Sequence, residues 1–548
     1  MITRSAGKWE GSFSSMLTGT AFHLNIYFFP SAKKPATSCL PWDTIAFTID
    51  KKTKSLPSPL EVRTMERGNL SRRGFMANML GGMAAAGLPI WFAKETISDA
   101  FEAKTPRQPG ANDRIVMGAI GTGTNRTRRA ANAPVHGERG VHIMQAAMSE
   151  TGVQMSAVCD VDRPNAEFAQ NLVRAATQGG NRDCALFSDY RRLLENRDIN
   201  AVTIGTPDHW HALVAIAALR AGKDVYCEKP MTLTIEESKL VARVARETRK
   251  IFQVGTQQRT EMGGRFRLAA ELVRNNRIGR VQRITTLIGA NPVGGPFPVR
   301  PVVEGLDWNF WQGPTGPVDF VPERCHYEFR WWYEYSGGKM TDWGAHHNDI
   351  AQWALGMDES GPISVVGTGA APSDRPNSYN CHPTFEVTYR YGNGPNGAAG
   401  TRLICRSGPA EGWPIRENNR VAGNGILFEG EDNKWIWVSR GNIQASDRAL
   451  LDETLPANAV RLPRVAGGRN EHMKNFLACV RSRENPICPA SVGHRSVTVC
   501  HIGVIATRFF RGQTLTWDPR EEHFTGERAE AANRHLSRTM RAPWRLQA

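Results

Sequence analysis

Between residues 115 and 254, short continuous apolar runs alternate with stretches whose apolar positions recur every three or four residues. The runs 115–120, 153–158, 201–205, 224–227 and 251–254 are short and mostly apolar, as strands buried on both faces are. The stretches between them carry helical period: 141–148, 165–176, 190–195, 209–221 and 235–248. Strands alternating with helices of this length predict right-handed βαβ units and a doubly wound parallel sheet.

After about residue 260 the rhythm changes. A helical stretch at 267–275 leads into strand-like runs at 281–288, 363–367, 384–391 and 402–406. The runs 426–428 and 434–438 flank Glu431-Asp432-Asn433, a hairpin turn by composition, and 291–301 is a Pro/Gly-rich loop. The period then returns to helical at 471–480 and 495–510. The expected organisation is a doubly wound α/β domain over 113–260 and a second α/β domain with a mostly antiparallel open sheet over 261–470. Helices and a tail packing back on the body occupy 471–548. A length of 548 residues suits two domains plus accessories.

Charge and cysteine usage narrow the picture little. The formal charge of +15 comes from 68 Lys+Arg against 53 Asp+Glu, without a basic stripe carrying interleaved aromatics, so nucleic acid is not an expected partner. The ten cysteines are scattered singly, with neither metal-ligand nor redox spacing. The N-terminal part says more. Ser71-Arg72-Arg73-Gly74-Phe75-Met76 precedes a Gly/Ala-rich apolar run over 76–93, the layout of a twin-arginine export signal, with small residues near Ala100 and Ala103 for cleavage. Gly81, Gly82, Gly87 and Pro89 interrupt that run, which makes it a poor permanent membrane span. Residues 65–103 are therefore read as the signal region and the destination as periplasmic, or cytoplasmic if the signal is silent. Met65 stands six residues before Ser71, and 1–64 are expected to be an unstructured upstream extension of the reading frame.

Chemistry gathers at the ends of the strands. Gly121-Thr-Gly123 directly after a strand opens a dinucleotide fingerprint, in which glycines let backbone approach a pyrophosphate at a helix N-terminus. The third glycine of that fingerprint is missing, since position 126 is Arg; Arg139-Gly140 resumes just before the helix after a polar stretch over 124–138. Asp160 ends the second strand, where a carboxylate can accept both adenosine ribose hydroxyls and repel a 2′-phosphate. That favours NAD over NADP, although Arg163 nearby keeps NADP open, and Asp160 is equally readable as a helix cap. Thr206-Pro-Asp-His-Trp-His211 follows another strand into the same crevice. Ala221-Gly-Lys-Asp-Val-Tyr-Cys-Glu-Lys-Pro230 ends a strand with an acid, an amine and a ring.

In this order and spacing, these motifs resemble the glucose–fructose oxidoreductase, inositol dehydrogenase and rhizopine-catabolism (Gfo/Idh/MocA) family over about residues 113–520, with Glu228-Lys229-Pro230 the most diagnostic part. The resemblance implies a Rossmann domain followed by an open-sheet domain whose face often forms homodimer or homotetramer contacts. It places Gly121, Gly123, Asp160, Thr206, Pro207, His209, His211, Glu228 and Lys229 around NAD. Asp342 and His346, in Gly337-Gly-Lys-Met-Thr-Asp-Trp-Gly-Ala-His346-His-Asn-Asp349, match the family's Asp-x-x-x-His pair.

Four residues apart on a helix, Asp342 and His346 share a face, so the carboxylate can orient an imidazole suited to proton transfer while Lys229 stabilises a developing alkoxide. Gln257, Arg330, Trp331, Tyr333, His347 and Asp349 complete the substrate-side candidates. Phe329-Arg-Trp-Trp-Tyr-Glu-Tyr335 reads as a sugar-stacking run or as ordinary core. A metal at His346, His347, Asp342 and Asp349 is disfavoured, because adjacent histidines leave a helix on different faces.

The expected activity is hydride transfer between a non-dissociating NAD and a secondary alcohol of a sugar, cyclitol or glycoside, possible as a redox-neutral cycle. An NAD-dependent glycosidase or lyase is the second reading, although the Tyr-x-x-His-Gly motif associated with those enzymes is absent where Asp342 to His346 stand. A non-catalytic sugar-binding protein is the third.

Overall fold

The protein, as a computed structural model, is described for residues 83, 87–95, 114–123, 137–392, 400–465 and 469–546, and for the backbone of four strands before residue 67. Residues 83–415 and 421–548 form one compact unit; residues 1–82 and 416–420 form another. In the smaller unit Ser14–Leu17, Thr20–Phe28, Thr44–Lys51 and Thr64–Glu66 make an antiparallel meander. This departs from the expectation of an unstructured 1–64. Thr, Ile, Phe and Tyr recur through its two longer strands, a β-favouring composition that apolar periodicity alone does not register. Ser71–Met76, Ala100 and Ala103 lie outside the described residues.

In the larger unit β1 (Ile115–Ile120), β2 (Val153–Cys159), β3 (Ala185–Phe187), β4 (Ala201–Ile204), β5 (Asp224–Cys227) and β6 (Phe252–Val254) form a wholly parallel sheet of order 6-5-4-1-2-3. The crossovers are α1 (Arg139–Met148), α2 (Arg163–Ala175), α3 (Tyr190–Leu194), α4 (Asp208–Arg220) and α5 (Ile235–Thr248). This is the Rossmann strand order, whose direction reverses between β1 and β4 and opens a crevice beyond their carboxyl ends. Short β3 is half-buried and escaped the pattern of apolar runs.

The second domain contains α6 (Arg265–Arg274), β7 (Arg283–Leu287), α7 (Trp308–Gln312), α8 (Lys339–Asp342), α9 (Gly344–Leu355), β8 (Pro362–Gly369), β9 (Phe385–Tyr391), β10 (Arg402–Arg406), β11 (Gly425–Glu429), β12 (Trp435–Val438) and β13 (Ile443–Ala445). After α10 (Glu471–Ser482) and α11 (Ala490–Phe509), β14 (Thr514–Asp518) and β15 (His523–Thr525) return to the same sheet. Its order is 13-12-11-7-10-9-8-14-15, antiparallel except for β7 beside β10. Residues 471–548 thus contribute strands as well as helices, beyond the helices and tail expected there.

Buried residues of α6, α9 and α11 pack on one face of this sheet against Ile284, Val387, Leu403, Ile426 and Ile436. α11 also pegs the two domains together. A Cβ at Gly493 would lie 2.3 Å from Val254 in β6, and one at Gly503 would lie 2.1 Å from the Tyr389 hydroxyl in β9. Only glycine lets one helix approach both sheets so closely.

The described part of the apolar run 76–93 lies in this unit too. Leu88 and, in a short helix over 90–95, Phe92 are buried in the second domain's core. Trp91 Nε1 donates to Leu451 O at 2.8 Å, Glu95 pairs with Arg464 at 2.6 Å, and the Arg267 guanidinium lies 4.6 Å from the Phe92 ring centre. Among the described residues no helix is long and apolar enough to cross a membrane, and the nine described cysteines are free and buried.

Candidate active site

A cleft of about 410 Å³ runs from the carboxyl ends of β1 and β2 to the start of α9. At its first end Gly121, with φ +75°, sits so close to the next loop that a Cβ would fall 2.5 Å from Thr206 N. Asp160 Oδ2 accepts from the backbone N–H of Thr122 and Gly123, both at 2.9 Å, and Oδ1 accepts from Asp162 N at 2.9 Å. The carboxylate therefore braces the glycine turn as well as facing the cleft, and burial still pushes its pKa above the ordinary value.

The missing third glycine is Gly140. A Cβ there would lie 1.9 Å from Gly121 O, and one at Gly205 would lie 2.6 Å from Gly140 Cα, so α1, β1 and the β4 loop meet backbone to backbone. The intervening residues displaced this glycine from its usual spacing, and the strand-to-helix transition at Arg139 was the signal that could have found it. No side chain caps the N-terminus of the ten-residue α1, which leaves its first N–H groups for an anion.

Thr206, Pro207, His211 and Glu228 line the middle of the cleft. Glu228 Oε1 accepts from Arg139 Nε at 2.8 Å and from Gln257 Nε2 at 2.9 Å. His211 is held between Thr206 O and Pro230 O, tying the loop after β4 to the one after β5. His209 does not reach the cleft: its Nε2 donates to Trp311 O at 2.9 Å, and burial pushes its pKa down to about 3. It is a neutral tether between α4 and α7, which corrects its reading as a cofactor residue.

The far end holds Lys229, Arg330, Asp342, Trp343, His346 and Arg440. Lys229 Nζ lies 2.6 Å from Asp342 Oδ1, and Arg330 Nε lies 3.5 Å from the same oxygen. Burial opposes ionisation of Asp342, but Lys229 and Arg330 outweigh it and hold the carboxyl well below the usual range. His346 goes the other way for a histidine. Burial first, then the cations Lys229 and Arg440, hold its pKa well below the ordinary value, so the imidazole is neutral.

The expected Asp342–His346 partnership is not formed: the carboxylate is engaged by Lys229 and Arg330. Trp343, between α8 and α9, keeps right-handed helical dihedrals, so the two side chains still share a face; the carboxylate takes the two cations in place of the imidazole.

Other candidates are corrected by burial. Asp349 takes Arg259 in a two-bond pair, Nε to Oδ2 and the terminal nitrogen to Oδ1, both 2.8 Å, and neither residue is exposed. His347 is buried between Gln258 and Asn424, and burial pushes its pKa down to about 3. Phe329 and Arg330 face the cleft, whereas Trp331 is core and Tyr333 borders a separate small cavity with Arg508. The aromatic run is thus mostly core with two cleft residues. Gln257 does line the cleft. His326 and Arg440, which no sequence motif singles out, join the wall from the loop before α8 and the turn after β12.

The cleft suits a dinucleotide. It joins two close-approach glycines, an open helix N-terminus and Asp160 at one end, and three of its wall residues carry buried polar atoms without partners among the described residues: Thr206 Oγ1, Glu228 Oε2 and His346 Nδ1. No group of acidic, His and Cys side chains able to hold a metal occurs among the described residues.

A parallel 3-2-1-4-5-6 sheet with this cleft, closed by an open-sheet domain, defines a two-domain dinucleotide-binding fold. The profile of the oxidoreductase family with an NAD-binding Rossmann fold matches residues 115–256, and that of its C-terminal alpha/beta domain matches 295–398 and 425–546. The chain belongs to the Gfo/Idh/MocA oxidoreductase family.

Among curated relatives, a glycosyl hydrolase family 109 protein of Shewanella baltica is 31% identical over 188 residues, 33% of this chain and 38% of that protein. Inositol 2-dehydrogenase of Salmonella typhimurium is 31% identical over 123 residues, 22% of this chain and 34% of the enzyme. Each match therefore spans well under half of the relative. Among solved structures, aldose–aldose oxidoreductase from Caulobacter crescentus, complexed with glycerol, superposes with a TM-score of 0.50 at 16% identity over 74% of this chain and 99% of that one.

Proposed function

We propose that this protein transfers a hydride between NAD and a secondary alcohol of a sugar, cyclitol or glycoside. The observation that carries the reading is the Lys229–Asp342 ion pair beside neutral His346, at the opposite end of one cleft from Gly121, Gly123 and Asp160. NAD, when bound, supplies the hydride acceptor. Neutral His346 keeps a ring lone pair for the alcohol proton, and Lys229 beside Arg330 offers positive charge to the oxygen as that proton leaves. Asp342 fixes the Lys229 ammonium and keeps it from being an uncompensated buried charge. Asp160 at the ribose end favours NAD over NADP.

Two finer points belong to the same reading. NAD stays bound through the cycle, as export in folded form through the twin-arginine route to the periplasm would require, and the protein assembles as a homodimer or homotetramer through its C-terminal sheet. Heat-denaturing the purified protein should release about one NAD per chain. Adding a panel of sugars, cyclitols and glycosides to the native protein should change the bound-nicotinamide absorbance. A protein that contains no nicotinamide and is unmoved by every alcohol would overturn the reading.

The glycosyl hydrolase family 109 relatives support a second reading, redox-assisted glycoside cleavage. Product analysis distinguishes the two: liberated aglycone with no net change in NAD marks cleavage, and an oxidised sugar marks dehydrogenation.

A further inference from the structure

Four cations line the catalytic end of the cleft, Arg139, Lys229, Arg330 and Arg440, and three of them are held in ion pairs. Lys229 and Arg330 share one oxygen of Asp342, and Arg139 is taken by Glu228. Arg440, from the turn between β12 and β13, lines the cleft and stacks on Trp343, 4.3 Å from guanidinium carbon to ring centre. Trp343 in turn meets the His346 ring edge-on at 5.8 Å. Among the described residues no carboxylate lies within ion-pair distance of Arg440. With the Gln258 amide oriented to satisfy its neighbours, Arg440 Nε donates to Gln258 O at 3.2 Å.

Glu261 shares this wall and attracts Arg440 through space, without pairing. Burial, and then repulsion from Arg139, hold the Arg440 pKa below its ordinary value. Arg259, enclosed by Asp349 and Asp358, shows what a matched partner does: despite burial its pKa is pushed well up. A half-buried guanidinium stacked on an indole, with its fork unmatched, is built to receive a planar oxyanion.

We infer that the substrate alcohol belongs to a sugar bearing an oxyanionic substituent, a carboxylate or a phosphate, and that Arg440 is the residue that selects it. This rests on the proposed sugar oxidoreductase reading and adds the substrate's charge to it. The substituent would sit on the Trp343–Arg440 side of the cleft while the reacting hydroxyl faces Lys229 and His346. The cations would also offset the loss of hydration of a charged sugar on entry.

The test compares D-glucuronate, D-galacturonate, glucose 6-phosphate and D-glucose on wild type, Arg440→Gln and Arg440→Lys. Calorimetric affinity, nicotinamide reduction and NAD content are each followed. An acidic sugar should bind roughly 10–100-fold more tightly than glucose, the worth of one charge-assisted contact. Arg440→Gln should remove that preference with NAD content and melting temperature unchanged, and Arg440→Lys should restore part of it. The uronates against the phosphate decide which oxyanion is meant.

Glucose binding as well as the acids, or a preference that survives Arg440→Gln, overturns the inference. Loss of bound NAD in Arg440→Gln also overturns it, by assigning Arg440 to the cofactor. Acidic sugars that bind through Arg440 yet never reduce the nicotinamide leave this inference standing and sink the oxidoreductase reading instead.

Discussion

Lys229 Nζ and Asp342 Oδ1 stand 2.6 Å apart across the two domains, the amine at the end of a Rossmann strand and the acid on a short helix of the second domain. Their pairing sets the charge at the reacting end of the cleft. Lys229→Ala should reduce single-turnover nicotinamide reduction by about 10²–10³-fold, the usual worth of one preorganised electrostatic group, with bound NAD retained. Stopped-flow absorbance checks it, and an unchanged rate removes Lys229 from the chemistry.

His346 gives a prediction in pH. Its pKa is depressed by burial and by Lys229, so the alcohol-oxidation rate should show no acid limb near 6.5 in the wild type. Lys229→Met removes one repelling charge and should move the His346 titration upward. A pH–rate profile in which that limb falls at the same pH in both proteins would contradict this.

Stability should also respond to acid through the buried neutral histidines. Burial holds His501 at about 3, below its unfolded value near 6.5. The folded-state pKa is depressed, so the unfolded chain binds the extra proton between these two values. This contribution is complete above about pH 6.5 and is lost as pH falls toward 3, at up to about 1.4 kcal/mol per pH unit. His501→Gln, which keeps a donor for Thr232 O, should flatten the pH dependence of unfolding free energy by about that slope over pH 4–6. An unaltered slope would show that His501 takes up no proton on unfolding.

Gly140→Ala places a methyl where Gly121 O already lies, 1.9 Å away. The variant should lose bound NAD and about 1–3 kcal/mol of stability, because three backbones must separate. Released nicotinamide and a denaturant midpoint measure the two effects. Retention of both would deny Gly140 the third-glycine role.

The sheets were largely legible because their strands are apolar enough to declare themselves, and Asp224–Cys227 and Ile235–Thr248 fall where periodicity puts them. The half-buried Ala185–Phe187 and the late pair Thr514–Asp518 and His523–Thr525 lack that signal. At the site, motif chemistry points to Lys229, Asp342, His346 and Glu228, and all four line the cleft. It also points to Asp349 and His347, which are buried outside the cleft lining against Arg259 and Asn424, partners distant in sequence, and it does not register Arg440, a turn residue that only folding brings to the cleft. Spacing reports which residues share a face; it does not report which partner a side chain takes, as Asp342 takes Lys229 and Arg330 rather than His346.

The segment around Phe92 is docked in the second domain's core, which bears on the proposed export signal. A cut near Ala100 or Ala103 would strip the second domain of Leu88 and Phe92, both almost fully enclosed, and of the Glu95 partner to Arg464. The vacated groove would expose apolar floor at Phe266 and Leu268 and leave Arg267 without its ring. Under the proposed export reading, a segment seated this way would act as an intramolecular wedge, and its removal would remodel the domain rather than trim its end.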